Sequence, residues 1–150
     1  MDQANNSKVQ EVVRKFFEAG NKQDIETLAG LVAPNLIVNN PLFGQGNVVT
    51  REVFKSSLDN MRKAFPDLNM HVVNMITQGN TVVTEELETA TLSANGRSYK
   101  MPVCVVMRVN DQGQIHETHN YWDTRTLFDQ LQINLDTYSK ILREEKETYG

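Results

Sequence analysis

The chain has 150 residues with a net charge of -4, an apolar content of 39% and a charged content of 23%, enough to bury a core and too little charge for a disordered tail. No basic run offers a phosphate-backbone footprint, which argues against nucleic acid. The longest apolar run, Pro102–Met107, is far too short to cross a bilayer.

Apolar residues Val9, Val12, Val13, Phe16 and Phe17 recur at three- and four-residue steps, so Ser7–Ala19 is expected to be helical, with Gly20 ending it. Asp24 can cap a second short helix carrying Ile25, Leu28 and Leu31, stopped by Pro34. Leu36–Asn40 reads as a short strand, and residues 41–49, with Gly44 and Gly46, as a loop. Thr50 can cap a third helix with Val53, Phe54, Leu58, Met61 and Phe65 inward. The period then changes. Four runs rich in β-branched residues (68–78, 81–92, 98–109 and 114–123) are separated by Gly79-Asn80, Asn95-Gly96 and Asp111-Gln112-Gly113, all hairpin signals. Residues 124–147 return to a helical stripe of Leu127, Phe128, Leu131, Leu135, Tyr138 and Leu142, with Ile133 off it and a charged end. The expectation is one α+β domain over 1–150: N-terminal helices on one face of a curved four-stranded antiparallel meander, and 133–150 as a helical C-terminal extension. Such a layout is cone-shaped, with a pocket between helices and sheet.

The polar N-terminus lacks a secretory pattern, and the single Cys104 has no internal disulfide partner, so a cytoplasmic protein is expected. No Cys/His cluster has metal-ligand spacing, and His71, His116 and His119 are scattered over two strands. No metal site is therefore expected.

Phe16-Phe-Glu-Ala-Gly-Asn-Lys-Gln-Asp-Ile-Glu-Thr-Leu, Leu36-Ile-Val-Asn-Asn-Pro, Ala64-Phe-Pro-Asp-Leu-Asn, Gly113-Gln-Ile and Tyr121-Trp-Asp resemble the SnoaL-like polyketide cyclases. These belong to the superfamily with the nuclear-transport-factor-two (NTF2) fold, which also holds ketosteroid isomerases and limonene epoxide hydrolases. The resemblance covers about residues 8–132 and implies a cofactor-free acid/base enzyme, a cyclase or isomerase, acting on a hydrophobic polyketide- or terpenoid-like carbonyl compound. Epoxide opening and non-catalytic binding of a small molecule stay open beside it.

Asp123 matches the position where the cyclases carry their general acid/base; it can equally cap the helix starting at Thr124. Glu86 and Glu88 are two apart, so a strand points both to one face, where they act as a catalytic pair or make a solvated polar surface. The epoxide hydrolases resemble this segment. Glu86 takes the place of their arginine, Glu88 that of their first aspartate and Asn120 that of their last. Asn39 matches their water-holding asparagine, and Ile37 replaces a tyrosine. Losing the arginine and one carboxylate argues against epoxide hydrolysis. Asn120 and Asp123 are three apart, so Asn120 and Trp122 are read as inward and Asp123 as reaching in from a distorted strand end. Asn39, Asn120 and Trp122 would position substrate, and Met101 and Val103 belong to an apolar wall alternating through Met107. Apolar residues on both parities of the strands predict a homodimer formed back to back through the sheet.

Overall fold

The computed structural model describes residues 3–42 and 44–147. Five helices and six strands follow in the order α1 (Gln3–Asn21), α2 (Ile25–Leu31), β1 (Val32–Asn40), β2 (Gly44–Thr50), α3 (Arg51–Ala64), β3 (Asn69–Gln78), β4 (Thr81–Thr91), β5 (Ser98–Val109), β6 (Ile115–Tyr121), α4 (Thr124–Leu131) and α5 (Leu135–Glu147). The architecture is α+β, as expected, but the sheet is larger than the four-stranded meander. It has six strands in the order β2-β1-β6-β5-β4-β3. The meander β3–β6 is antiparallel, and β1 joins it parallel to β6.

Two local features explain that difference. Pro34, expected to stop the second helix, lies inside β1, which starts at Val32 rather than Leu36; the β1–β6 ladder is broken between Val32 and Ile37 and needs no amide there. Residues from Gly44 form β2 against β1 rather than a loop; Phe43, within the expected loop, lies outside the described residues. Five of β2's residues, Gly44–Val48, are exposed in succession, so it carries no alternation to read. Backbone pairing holds it instead, together with the Asn39 side chain, whose Oδ1 accepts from the Gly46 amide at 2.5 Å. Gly46 sits at φ 73, where a side chain would be strained.

The C-terminal helix is also broken. Gln132 adopts φ 53, ψ 45 and closes α4 through its amide to the Phe128 carbonyl. Asn134 then starts α5, its Oδ1 accepting from the Thr137 amide at 2.8 Å. Ile133 falls off the stripe because it lies in this break. The expected extension is thus helical over Leu135–Glu147, with residues 148–150 outside the described part.

Strand register sorts the sheet into two faces. One carries Val82, Thr84, Glu86, Glu88, Ala90, Tyr99, Met101, Val103, Val105 and Met107, and the helices cover it. Val9, Val13 and Phe17 of α1, Ala64 and Phe65, Leu127 and Leu131 of α4, and Tyr138 of α5 pack with its apolar residues in one core. The other face carries Ile76, Val83, Val106, Cys104, His119 and Tyr121, none of them fully buried. Among the described residues no helix is long and apolar enough to cross a membrane.

Candidate active site

β4 pairs with β5 without a break in register, which turns Glu86 and Glu88 to the covered face. Their neighbours on β5 are Val103, opposite Glu86, and Met101, opposite Glu88. Two sequence-derived carboxylates and two wall residues therefore come together. Glu86 is 3% exposed. Its nearest polar neighbour is the Thr84 hydroxyl, 3.3 Å from Oε2. Burial, reinforced by the negative charge of Glu88 and only weakly offset by Thr84, pushes its carboxyl up to about 8. Burial raises Glu88 as well, against a pull downward from a hydrogen bond donated by the Tyr99 hydroxyl at 2.5 Å.

Tyr99 was not a candidate in the sequence, although it shares the parity of Met101 and Val103. It is 4% exposed and lies edge-on to Phe65, ring centroids 5.7 Å apart. Tyr138, brought in by α5, packs against Phe65 and Phe128 and feels the charge of Glu88. Burial and Glu88 hold both phenols well above their ordinary range, so both stay protonated. The only sequence signal for Tyr138 was its place on the helical stripe.

The remaining candidates lie elsewhere. Asp123 is exposed and caps α4, its carboxylate accepting from Thr126 Oγ1 at 2.6 Å and from the Arg125 amide at 3.3 Å. The Thr126 bond is the main cause that lowers its pKa. An ionised surface carboxylate spent on a helix start is not the inward, raised-pKa acid that the resemblance implied, and Asp123 does not reach in. Asn120 is turned inward opposite Val105, and its amide donates to the Asn39 carbonyl at 3.1 Å. Trp122 is half-buried against the core. Asn39 pairs with His119 in register, on the outer face. Its amide donates to the Thr118 carbonyl at 3.1 Å while its oxygen holds Gly46, so it ties β1 to β6 and β2. His71 is exposed and His116 half-buried. His119 sits on the outer face beside Glu117, 3.0 Å away, and Arg108.

At the place of the expected pocket between helices and sheet, Glu86 is buried and Glu88 half-buried. Two surface clefts lie away from them. One, of about 430 Å³, runs between α1 and β3 along Phe17, Met70 and Val72, one strand from Glu86. The other, of about 500 Å³, lies between α2 and α3 and is lined by charged residues. Neither contains Glu86 or Glu88.

Comparison with known proteins adds the wider frame. A structure from Xanthomonas campestris, described as a proposed polyketide cyclase, superposes with a TM-score of 0.78 at 21% identity, covering 85% of this chain and 99% of that one. IdmH from Streptomyces antibioticus, also a proposed polyketide cyclase, gives a TM-score of 0.72 at 26% identity over 83% of this chain and 99% of its own. A protein from Catenulispora acidiphila with a ketosteroid isomerase-like fold, solved with trimethylamine, gives 0.73 at 15% identity over 84% and 95%. A comparison with curated proteins found no match. The sequence profile described as the SnoaL-like domain matches residues 13–118, and with most of its length so matched the chain belongs to the SnoaL-like domain family.

Proposed function

We propose that this protein is a cofactor-free acid/base enzyme that cyclises or isomerises a hydrophobic, polyketide-like carbonyl compound, with Glu86 and Glu88 as the reacting groups. The observation that carries this reading is the pair itself: two carboxyls on one covered strand face, of which Glu86 keeps its proton to about pH 8. A neutral carboxylic acid beside a carboxylate near neutrality supplies one proton donor and one acceptor. In a cyclisation, Glu88 takes an α-proton, the resulting enolate carbon bonds to a second carbonyl carbon, and Glu86 delivers its proton to that carbonyl's oxygen. The product has the formula of the substrate, and exchange with water returns the proton from Glu88 to Glu86. Met101 and Val103 would supply the apolar wall, and Asn120 and Trp122 would border it.

Family membership and the likeness to IdmH support the cyclase class. Glu86 is nearly inaccessible, so substrate entry requires the helices to part from the sheet. The test is turnover of a polyketide-like aromatic tricarbonyl ester in water enriched in oxygen-18. The expected product keeps the substrate's mass or loses one water. A product heavier than the substrate by one whole labelled water, beyond the label that its carbonyls take up by exchange, indicates hydrolysis and overturns the cyclase reading.

A further inference from the structure

The two carboxyls of the proposed pair are not equivalent, and hydrogen bonding distinguishes them. Glu88 receives a phenolic donor: the Tyr99 hydroxyl lies 2.5 Å from Oε1. Glu86 has no such donor among its described partners, only the Thr84 hydroxyl at 3.3 Å. That hydroxyl is also 3.5 Å from the Val105 carbonyl oxygen and has one proton to give. An ionised Glu86 would compete with the Val105 carbonyl for it. A protonated Glu86 can donate to the Thr84 oxygen and leave the Thr84 proton to Val105, so every group in the chain is satisfied.

Resting on the acid/base reading above, we infer that Tyr99 is a positioning residue that assigns the protons of the pair: by donating to Glu88 it makes Glu88 the proton acceptor and leaves Glu86 as the proton donor. A hydrogen bond to the charged form of a carboxyl favours that form, and two close carboxyls titrate as a coupled pair. One donor placed on one member therefore decides where the first negative charge resides. The phenol is suited to this because it stays protonated: burial, Glu88 and, more weakly, Tyr138 of α5 and Asp67 in the turn between α3 and β3 all disfavour its anion. Tyr138 faces the pair as a neutral phenol. Cys104 lies behind it on the outer face, where burial and the carboxylates of Glu85 and Glu86 favour the neutral thiol. Asp67 is itself engaged by the Thr91 amide and hydroxyl.

The experiment is a carbon-13 NMR titration of the intact protein labelled at glutamate side-chain carboxyls, with E86Q and E88Q used to assign the two resonances. In the wild type, Glu88 should move in the lower step and Glu86 in the upper. Tyr99→Phe keeps the ring against Phe65 and removes only the donor. It should raise the lower step by about one pH unit, a tenfold change in proton affinity, and spread that step over both resonances. Where Tyr99→Phe fails to fold, 3-fluorotyrosine at position 99, a stronger donor in the same ring, should move the lower step down. An unchanged order and lower step with either replacement overturns the assignment. No substrate is needed, so the result stands apart from the acid/base reading. If E86Q and E88Q leave turnover unchanged while the titration behaves as stated, that reading fails and the role of Tyr99 in distributing protons survives.

Discussion

Tyr99 reaches Glu88 diagonally across the β4–β5 ladder: Glu88 pairs with Met101 and Tyr99 with Ala90, yet the phenol oxygen lies 2.5 Å from the carboxylate. Long side chains span such diagonal positions on one face of a sheet. The contact puts a short phenolic hydrogen bond on Glu88, whereas Glu86 has only the Thr84 hydroxyl at 3.3 Å, and the two carboxyls are therefore inequivalent.

Glu86 titrates near 8 when folded and near 4.5 when not. Between these values the unfolded chain has released a proton that the folded chain retains, so stability falls as pH rises from about 4.5 to 8 and levels off above. The lowered carboxyls, Glu117 beside Arg108 and Asp67 beside Thr91 among them, work in the opposite sense and cost stability only as pH drops below their ordinary range. Thermal melts should therefore show Tm falling from pH 5 to pH 8, on the order of 5–10 °C for a chain of this size. Glu88, also raised by burial, works in the same sense, so Glu86→Gln should remove part of that decline and Glu86→Gln combined with Glu88→Gln most of it. A variant that keeps the wild-type slope would place the titrating group elsewhere.

Asp123 gives the contrasting case. Its carboxylate caps α4 through Thr126 and Arg125, so Asp123→Ala should lower Tm by a few degrees through loss of the cap, and Asp123→Asn by less. Turnover per folded molecule should not change. A hundredfold loss in Asp123→Asn with an intact fold would return the catalytic role to this residue.

Asn39 ties the edge strand β2 to the sheet. Replacing it by alanine removes the acceptor of the exposed Gly46 amide and the donor to the Thr118 carbonyl, at about 0.5–1.5 kcal/mol for each hydrogen bond lost. Chemical denaturation of Asn39→Ala should show a lower midpoint, with faster amide exchange confined to β1 and β2. Unaltered exchange at Gly46 would mean that backbone pairing alone holds β2.

The outer sheet face presents Ile76 at 54% and Tyr121 at 55% exposure, in register rows with Val83, Val106 and Cys104, and Val48 at 66% in the row of Ile37 and Glu117. Burying such a face in a twofold contact of about 1,500 Å² suffices for a stable dimer. Light scattering at micromolar concentration should give twice the chain mass of 17.1 kDa, and Val106→Glu should return it to one chain. A monomeric wild type would contradict this.

Much of this was legible from local signals. The hairpins at Gly79, Gly96 and Gly113 take the positive φ that their turn residues allow, and the two-residue spacing of Glu86 and Glu88 placed them on one face. What escaped depends on non-local pairing. The strand β2 has no apolar alternation, being held by β1's backbone and by Asn39. The α4–α5 break rests on a glutamine at positive φ, where no glycine announces it. The Tyr99 contact requires the β4–β5 register, which alternation alone does not supply. Asp123 is ambiguous for a physical reason: an aspartate at the junction of strand and helix suits both a cap and an active-site acid, and the 2.6 Å bond from Thr126 shows the cap.

Proton transfer at carbon separates the inward pair from Asp123. Solvent deuterium exchange at the α-carbon of 2-tetralone, a hydrophobic ketone, followed by proton NMR in heavy water, reads that step without requiring the native substrate. The wild type should accelerate exchange. Glu86→Gln and Glu88→Gln should each slow it by about a hundredfold, and Asp123→Asn should leave it unchanged. Exchange that survives both glutamine substitutions, or that is lost in Asp123→Asn, would contradict the account.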